Sequence, residues 1–510
     1  MRKLLLVLLA CAIFSVGNSV SGQARTRITT DSAGLAKATQ EKINQITLAL
    51  KNNGVQINGK ANVYVFLGTQ EASLKQYGKA IIDYNHALAI NPNLGLAYLN
   101  RGDVYRRQKD YQKAGTDYRQ AIAHLKGDNG NQAIAYYYLA LLLENAKQYD
   151  KAIVQDSIAI SLNPGYQPAY RVRAELYAIQ GEFQPAINDI TVAMYGYEDK
   201  PFVLSSLLAE RGDMKRALKK YKEAINDYSL ALKLNPQNGH AYWNQAACYN
   251  ANRDYQLAYD GYNNAIPYFK NNPKSLARLY DDRALMEIGL QKYKEAVADD
   301  SIAISLDTTF EVAHWNIANA HSQNGDYALS NTVFMKTMHY YTNNLLARAS
   351  IYSAMAHNEY FLKNYPKAID YCTQAIALNT PNWSAYFERG RAYLKTNSKE
   401  LAINDFKQIL ALDTSKLSAD YAFSLYYTGS PDKAVEVMQS NFLKTTDTFV
   451  LMGDYYNMAC LYSIMNKPED ANNFLKKCID GGYNKKYALM DSDFDNIRNT
   501  NEFKNTMESK

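Results

Sequence analysis

An alanine followed four residues later by an aromatic residue and three later by a second alanine recurs along this chain, and no other feature constrains its fold as tightly. Ala80, Tyr84 and Ala87 return as Ala114, Tyr118 and Ala121, as Ala224, Tyr228 and Ala231, and as Ala258, Tyr262 and Ala265. Twelve residues before the first alanine stands a small residue, Gly68, Gly102, Gly212 or Ala246. Pro92, Pro164 and Pro236 close their units, where a missing N–H is harmless. The first alanines fall at 80, 114, 152, 186, 224, 258, 296, 368 and 402, with Ser330 in register, so the spacing alternates between 34 and 38 residues. The true period is therefore 72 residues, a two-unit module copied about five times. At 510 residues the chain exceeds what one compact core usually supports, and a repeat array resolves that difficulty.

These spacings resemble the tetratricopeptide repeat, a pair of antiparallel helices in about 34 residues. The resemblance implies an all-α superhelical solenoid of about twelve helix pairs with a 72-residue super-period. Small residues would sit where the two helices of one unit cross, and large aromatics would fill the holes between neighbouring units. The 43 tyrosines follow, because Tyr98, Tyr136, Tyr170, Tyr242, Tyr280 and Tyr386 all hold one early position of the first helix. The regular array spans 61–414, ten repeats in five modules. Degenerate and terminal units occupy 415–485, with Ala422, Ala434, Ala459 and Ala471 marking them. The stretch from Tyr455 to Tyr483 and the acidic DSDFD that follows resemble the last repeat and capping tail of bacterial members, giving a tail at 486–510. Residues 23–60 form an N-terminal extension whose helix, 35–51, is expected to cap the first repeat. The four additional residues of each module lie in stretches such as 124–132 and 267–275. The expectation is a longer second helix or a longer loop, which forms either an edge ridge or a change of twist.

Arg2 and Lys3 precede an apolar run from Leu4 to Phe14 and small residues to Gly22, the pattern of a secretory signal peptide over 1–22. Leu8-Leu9-Ala10-Cys11 also fits a lipid-attachment site, so a lipid anchor at Cys11 is the alternative. The expected location is outside the cytoplasm, in the periplasm or at the outer membrane. No later segment has the ~20 apolar residues needed to span a bilayer. The net charge of +6 is spread without a basic run, which argues against nucleic acid. Four cysteines beyond residue 22 do not make a disulfide framework. Cys460 and Cys478 occupy the two helices of the last repeat, as buried thiols or as a bridge.

Chemistry is hard to find. Gly54, Gly59 and Lys60 match the start of a phosphate-binding loop, but Ala61 replaces the magnesium-binding hydroxyl and no strand precedes it. His314 and His321 align with tyrosine anchors and read as packing residues. No nucleophile or acid–base constellation appears, so the chain is read as a non-enzyme without cofactor or metal site. The resemblance implies instead a protein or peptide partner held along the groove lined by the first helices. The groove positions carry Asn100, Asp103, Arg107, Tyr137, Arg171, Trp243, Asn244, Asn250, Trp315, Asn316, Asn319, Phe387 and Arg391. Asn amides pair with peptide backbone and Trp adds contact area. Whether Trp243 and Trp315 line the groove or the core stays open, and a glycan is the alternative ligand. The family's carboxylate clamp is incomplete, so chaperone-tail binding is not implied.

Overall fold

In the computed structural model the described residues are 32–51, 57–442 and 448–508, and all their regular structure is helical. The signal segment 1–22, Cys11 within it, and the rest of the extension up to residue 31 lie outside the described residues. So does Gly54, whereas Gly59 and Lys60 lie in the first turn of a helix, Ile57–Ser73.

The helices gather into two compact units, one ending at Asp254 and one beginning at Tyr255. In the first, Ser32–Lys51 precedes the pairs Ile57–Ser73 with Tyr77–Ile90, Gly95–Arg107 with Tyr111–His124, and Asn129–Asn145 with Tyr149–Leu162. Gln167–Ile179 with Phe183–Met194, Pro201–Ala217 with Tyr221–Leu234, and the helix Gly239–Ala251 complete it. The second unit starts with Tyr255–Ala265. It continues with Pro273–Gly289 and Tyr293–Leu306, Glu311–Asn324 and Tyr327–Thr337, Leu345–Phe361 and Tyr365–Leu378, and Trp383–Lys395 and Lys399–Leu412. The shortened Ala419–Tyr427 with Pro431–Phe442, then Thr448–Ile464 with Pro468–Asp480, end the pairs. The tail helices Lys485–Met490 and Asn501–Glu508 follow. Helix A and helix B denote the first and second members of a pair.

The recurring residues explain each pair. The helix B aromatics Tyr84, Tyr118, Tyr228 and Phe406 are fully buried. Each lies over a helix A glycine of its own pair. A Cβ on Gly68, Gly102, Gly212 or Gly390 would come within 2.7–2.8 Å of the facing ring. The small residue is thus a requirement of close helix crossing. Between helix A and helix B the chain turns through one residue in the left-handed region, at Lys75, Lys109, Lys147, Lys219, Arg253, Gln291, Lys363, Asn397 and Asn466. Gly181, Gly325 and Gly429 take this place in other turns. The residue that follows donates its N–H five residues back, as in Asp110 to Tyr105 O and Lys220 to Lys215 O, both 2.9 Å, closing a Schellman cap.

The super-period has a different structural origin from the one expected. The four extra residues lengthen neither helix B nor a loop; they add one turn to the N-terminus of the next helix A. The helices A Ile57–Ser73, Asn129–Asn145, Pro201–Ala217, Pro273–Gly289 and Leu345–Phe361 have 17 residues each. Gly95–Arg107, Gln167–Ile179, Gly239–Ala251 and Trp383–Lys395 have 13, and Glu311–Asn324 has 14. Stretches that resemble loops are N-caps. Asp128, Asn272 and Asn344 accept hydrogen bonds from the amides of Asn131, Ser275 and Ala347, and Pro273 takes the first helical position.

Candidate functional site

Helix A is held rigidly against helix B by a repeated ion pair. The guanidiniums of Arg101, Arg173, Arg211, Arg283 and Arg389 each donate two hydrogen bonds of 2.6–2.9 Å to the aspartate sixteen residues on, Asp117, Asp189, Asp227, Asp299 or Asp405. Such forked pairing fixes the orientation of the helix as well as its distance. Asn100, Asp103, Arg107, Arg171, Phe387 and Arg391 project from helices braced this way, whereas the helices that carry Tyr137, Trp243, Asn244, Asn250, Trp315, Asn316 and Asn319 have Leu139, Gln245 and Ile317 at the arginine's position.

In the first unit three of those residues reach across to a neighbouring helix A. Asn100 donates to Thr69 Oγ1 at 3.3 Å, and Thr69 also accepts from Tyr84. Arg171 donates to Glu210 at 3.0 Å and approaches Glu175 at 3.2 Å. Asn244 donates to Asp213 at 2.7 Å, beside the half-buried Trp243. Asp103 is engaged within its own helix, by Arg106 at 2.6 Å and Arg107 at 2.7 Å. Tyr137 stands edge-on to Tyr166 with ring centres 5.3 Å apart, and burial pushes its hydroxyl up to about 12. Asn250 is half-buried at the end of Gly239–Ala251.

The second unit treats the same register differently. Trp315 packs edge-on against Phe334, 5.2 Å between ring centres, and with Asn319, His357 and Tyr487 lines a cleft of about 280 Å³. Asn316 is buried and donates to Asp281 at 2.8 Å. Phe387 belongs to the core around Phe406 and Phe423. Arg391 is only 7% exposed. Its guanidinium lies 3.1 Å from Asp491 and 3.1 Å from Asp493 of the tail, and 4.3 Å over the ring of Tyr360. Tyr360 and Ser492 share a hydroxyl hydrogen bond of 2.8 Å, and Tyr456 donates to Asp491 at 3.0 Å. Lys486 of the tail also donates to Asn324 O, and Gln291 donates at 3.0 Å to Gly482 O at the end of the last repeat. Thr69, Glu210 and Asp213 in the first unit, and Asp491, Ser492, Asp493 and Tyr360 in the second, are site residues that the sequence reading misses. The one sequence signal for the tail residues is the acidic run itself.

Three further groups are defined by burial. Asp156 and Asp300 stand where other repeats carry the aromatic. Both are fully buried, and burial pushes them up to about 8 and about 10, so that each carboxyl keeps its proton at neutral pH. Cys460 and Cys478 are free and buried. Cys460 and the two tail aspartates bring donor atoms within 4.8 Å of one another. Arg391 already supplies the positive charge there, and burial keeps the Cys460 thiol protonated, a poor metal ligand. His314 stacks on Tyr340 at 4.9 Å, and burial holds its ring below the ordinary histidine range.

Models described as tetratricopeptide repeat match residues 61–94, 95–128, 206–275, 353–416 and 455–480. Among curated proteins, human Tetratricopeptide repeat protein 6 is 27% identical over 202 residues, 39% of this chain and 37% of its own. Human DnaJ homolog subfamily C member 7 is 22% identical over 51% of this chain and 57% of its own. The Hsp70-Hsp90 organizing protein of Triticum aestivum is 29% identical over 36% of this chain and 30% of its own. The chain thus spans roughly a third to somewhat over half of each of these relatives. A solved tetratricopeptide repeat protein from Parabacteroides merdae is 21% identical, covering 51% of this chain and 98% of its own, with a TM-score of 0.40. The C-terminal part of one from Cytophaga hutchinsonii is 19% identical over 50% and 98%, with a TM-score of 0.41.

Proposed function

The chain belongs to the tetratricopeptide repeat family, and from that premise we propose that it is a non-enzymatic scaffold that binds an extended protein or peptide partner along its helix A residues. The observation that carries this reading is the polar row of the first unit. Asn100 meets Thr69, Arg171 meets Glu210 and Asn244 meets Asp213, each pair joining two neighbouring helices A and each only partly buried. Such a row offers amides, carboxylates and a guanidinium at intervals set by the repeat, and Trp243 beside it supplies apolar area. An extended peptide gains a little from each repeat and loses little order in the scaffold. The wheat relative is by name an organizer of two other proteins, which supports a protein as the ligand class. The signal-like residues 1–22 support export, to the periplasm or the outer membrane.

Affinity capture from native envelopes, with the wild-type chain beside a Trp243→Ala, Asn244→Ala, Arg171→Ala variant, tests the reading. One protein retained by the wild type and lost by a folded variant is the expected result; identical captures overturn it. A second reading, an uncharged glycan, is favoured by the cleft between Trp315 and Tyr487, where aromatic faces meet the amides of Asn319 and Gln323. It requires soluble oligosaccharide to alter the fluorescence of the wild type but not of a Trp315→Phe variant.

A further inference from the structure

Arg391 differs from every bracing arginine described above. Those pair with an aspartate sixteen residues on, in the same helix pair; Arg391 pairs with one 100 residues on, in the tail. It lies two residues beyond the brace Arg389, on a different side of the same helix. The segment facing it is read residue by residue. Asp491 and Asp493 both reach the guanidinium, Ser492 between them meets Tyr360, and Asp495 comes to 3.7 Å from Lys395. This is how a groove holds a peptide, with Asp491 and Asp493 sharing one cation and the side chains at 492 and 495 taken by partners of their own.

Two observations separate this contact from ordinary core packing. The segment has little structure of its own, a six-residue helix and a three-residue 3₁₀ turn, and lengths like these do not persist in water without an outside surface. Nor is the site saturated by what fills it. Arg391 Nε is buried and has no hydrogen-bond partner, and Glu388 Oε2 lies 3.7 Å from Arg391 Nη1. The site therefore has a donor that the tail leaves unused, open to a further acceptor.

We infer that the Arg391 pocket is a recognition site for an acidic peptide with two carboxylates two residues apart, filled in cis by Asp491 and Asp493, so that an acidic partner enters only by exchange with the tail. Phe494 is fully buried in the core of the terminal pairs and keeps the segment beside the site. Tethered this closely, the tail acts at an effective concentration on the order of millimolar, which an external acidic segment has to exceed. The inference rests on the peptide-binding reading but concerns only the second unit. Its failure leaves the Trp243 and Asn244 row to be judged by capture.

The test uses the full chain and a fluorescent peptide of its residues 485–498. Fluorescence anisotropy should show the peptide binding at least tenfold more tightly to an Asp491→Asn, Asp493→Asn variant than to the wild type. Adding Arg391→Met to that variant should abolish the gain. Equal affinity for wild type and variant, or a gain that survives loss of Arg391, overturns the inference. Should the variant fail to fold, hydrogen exchange on the wild type decides. Excess peptide should speed exchange of residues 485–493 at least threefold and leave Pro468–Asp480 unchanged. No change, or a change in both segments together, overturns it.

Discussion

The two compact units use one repeat and one set of helix A positions, yet they leave those positions in different states. Up to Asp254 the polar residues of successive helices A pair with one another and stay partly exposed, as Asn100 does with Thr69 and Arg171 with Glu210. From Tyr255 onward Asn316, Phe387 and Arg391 are buried, and Arg391 is covered by the tail. The difference does not come from the glycine contacts and arginine braces of the repeats, which are alike in both units. At Arg391 it comes from a segment outside the repeat pattern, while Asn316 and Phe387 are buried by neighbouring helices, and both cases show that register alone does not make a binding position available.

The comparison can be strained first at its charges. Arg391→Ala leaves Asp491, Asp493 and Glu388 buried without their cation and should destabilise the second unit by about 3–5 kcal/mol. Arg171→Ala, whose partners are partly exposed, should cost less than about 1 kcal/mol. Denaturant melts followed by segment-resolved hydrogen exchange check both. Equal losses would erase the distinction between the units. The shared scaffold predicts the opposite symmetry. Gly212→Ala and Gly390→Ala place a methyl 2.7 Å and 2.8 Å from Tyr228 and Phe406, and each should cost about 1–3 kcal/mol in its own unit.

The pH dependence should also be shared, through one buried aspartate in each unit. Below the ordinary aspartate value of 3.8, Asp156 is protonated folded and unfolded alike and contributes no slope. Between there and about 8 the unfolded chain releases the proton while the folded one keeps it, so stability is lost as pH rises through this window. For Asp300 the loss continues to about 10. Asp156→Asn and Asp300→Asn should each flatten the fall in Tm between pH 5 and pH 8, by roughly 2–4 °C per kcal/mol removed. The smallest effect is expected at the interhelical turns. Lys219→Gly relieves a left-handed backbone but adds freedom to the unfolded chain, and the net change should stay within about 1 kcal/mol.

Much of the scaffold was legible in the sequence because close packing repeats its residue types. Gly102 and Tyr118, or Gly212 and Tyr228, announce a helix crossing at fixed spacing. The extra turn was misplaced for a local reason. Asp128-Asn129-Gly130 and Asn271-Asn272-Pro273 have the composition of loops, yet such residues also begin helices, as N-cap and first-turn residues. Helix A positions identified Trp315 and Arg391 as candidates but not what would cover them. Periodicity describes neighbours at a fixed interval, and the tail contacts Arg391 across 100 residues by charge complementarity, which has no period.

The account turns on the tail lying against the helix Trp383–Lys395 in solution, and a zero-length carbodiimide cross-link reads that contact directly. Lys395 Nζ and Asp495 are 3.7 Å apart and both reach solvent, and Lys113 with Asp110, 2.8 Å apart in the first unit, serves as the positive control. Peptide mapping of the full chain should recover both links. Recovery of Lys113–Asp110 without Lys395–Asp495 would contradict the account and leave Arg391 uncovered.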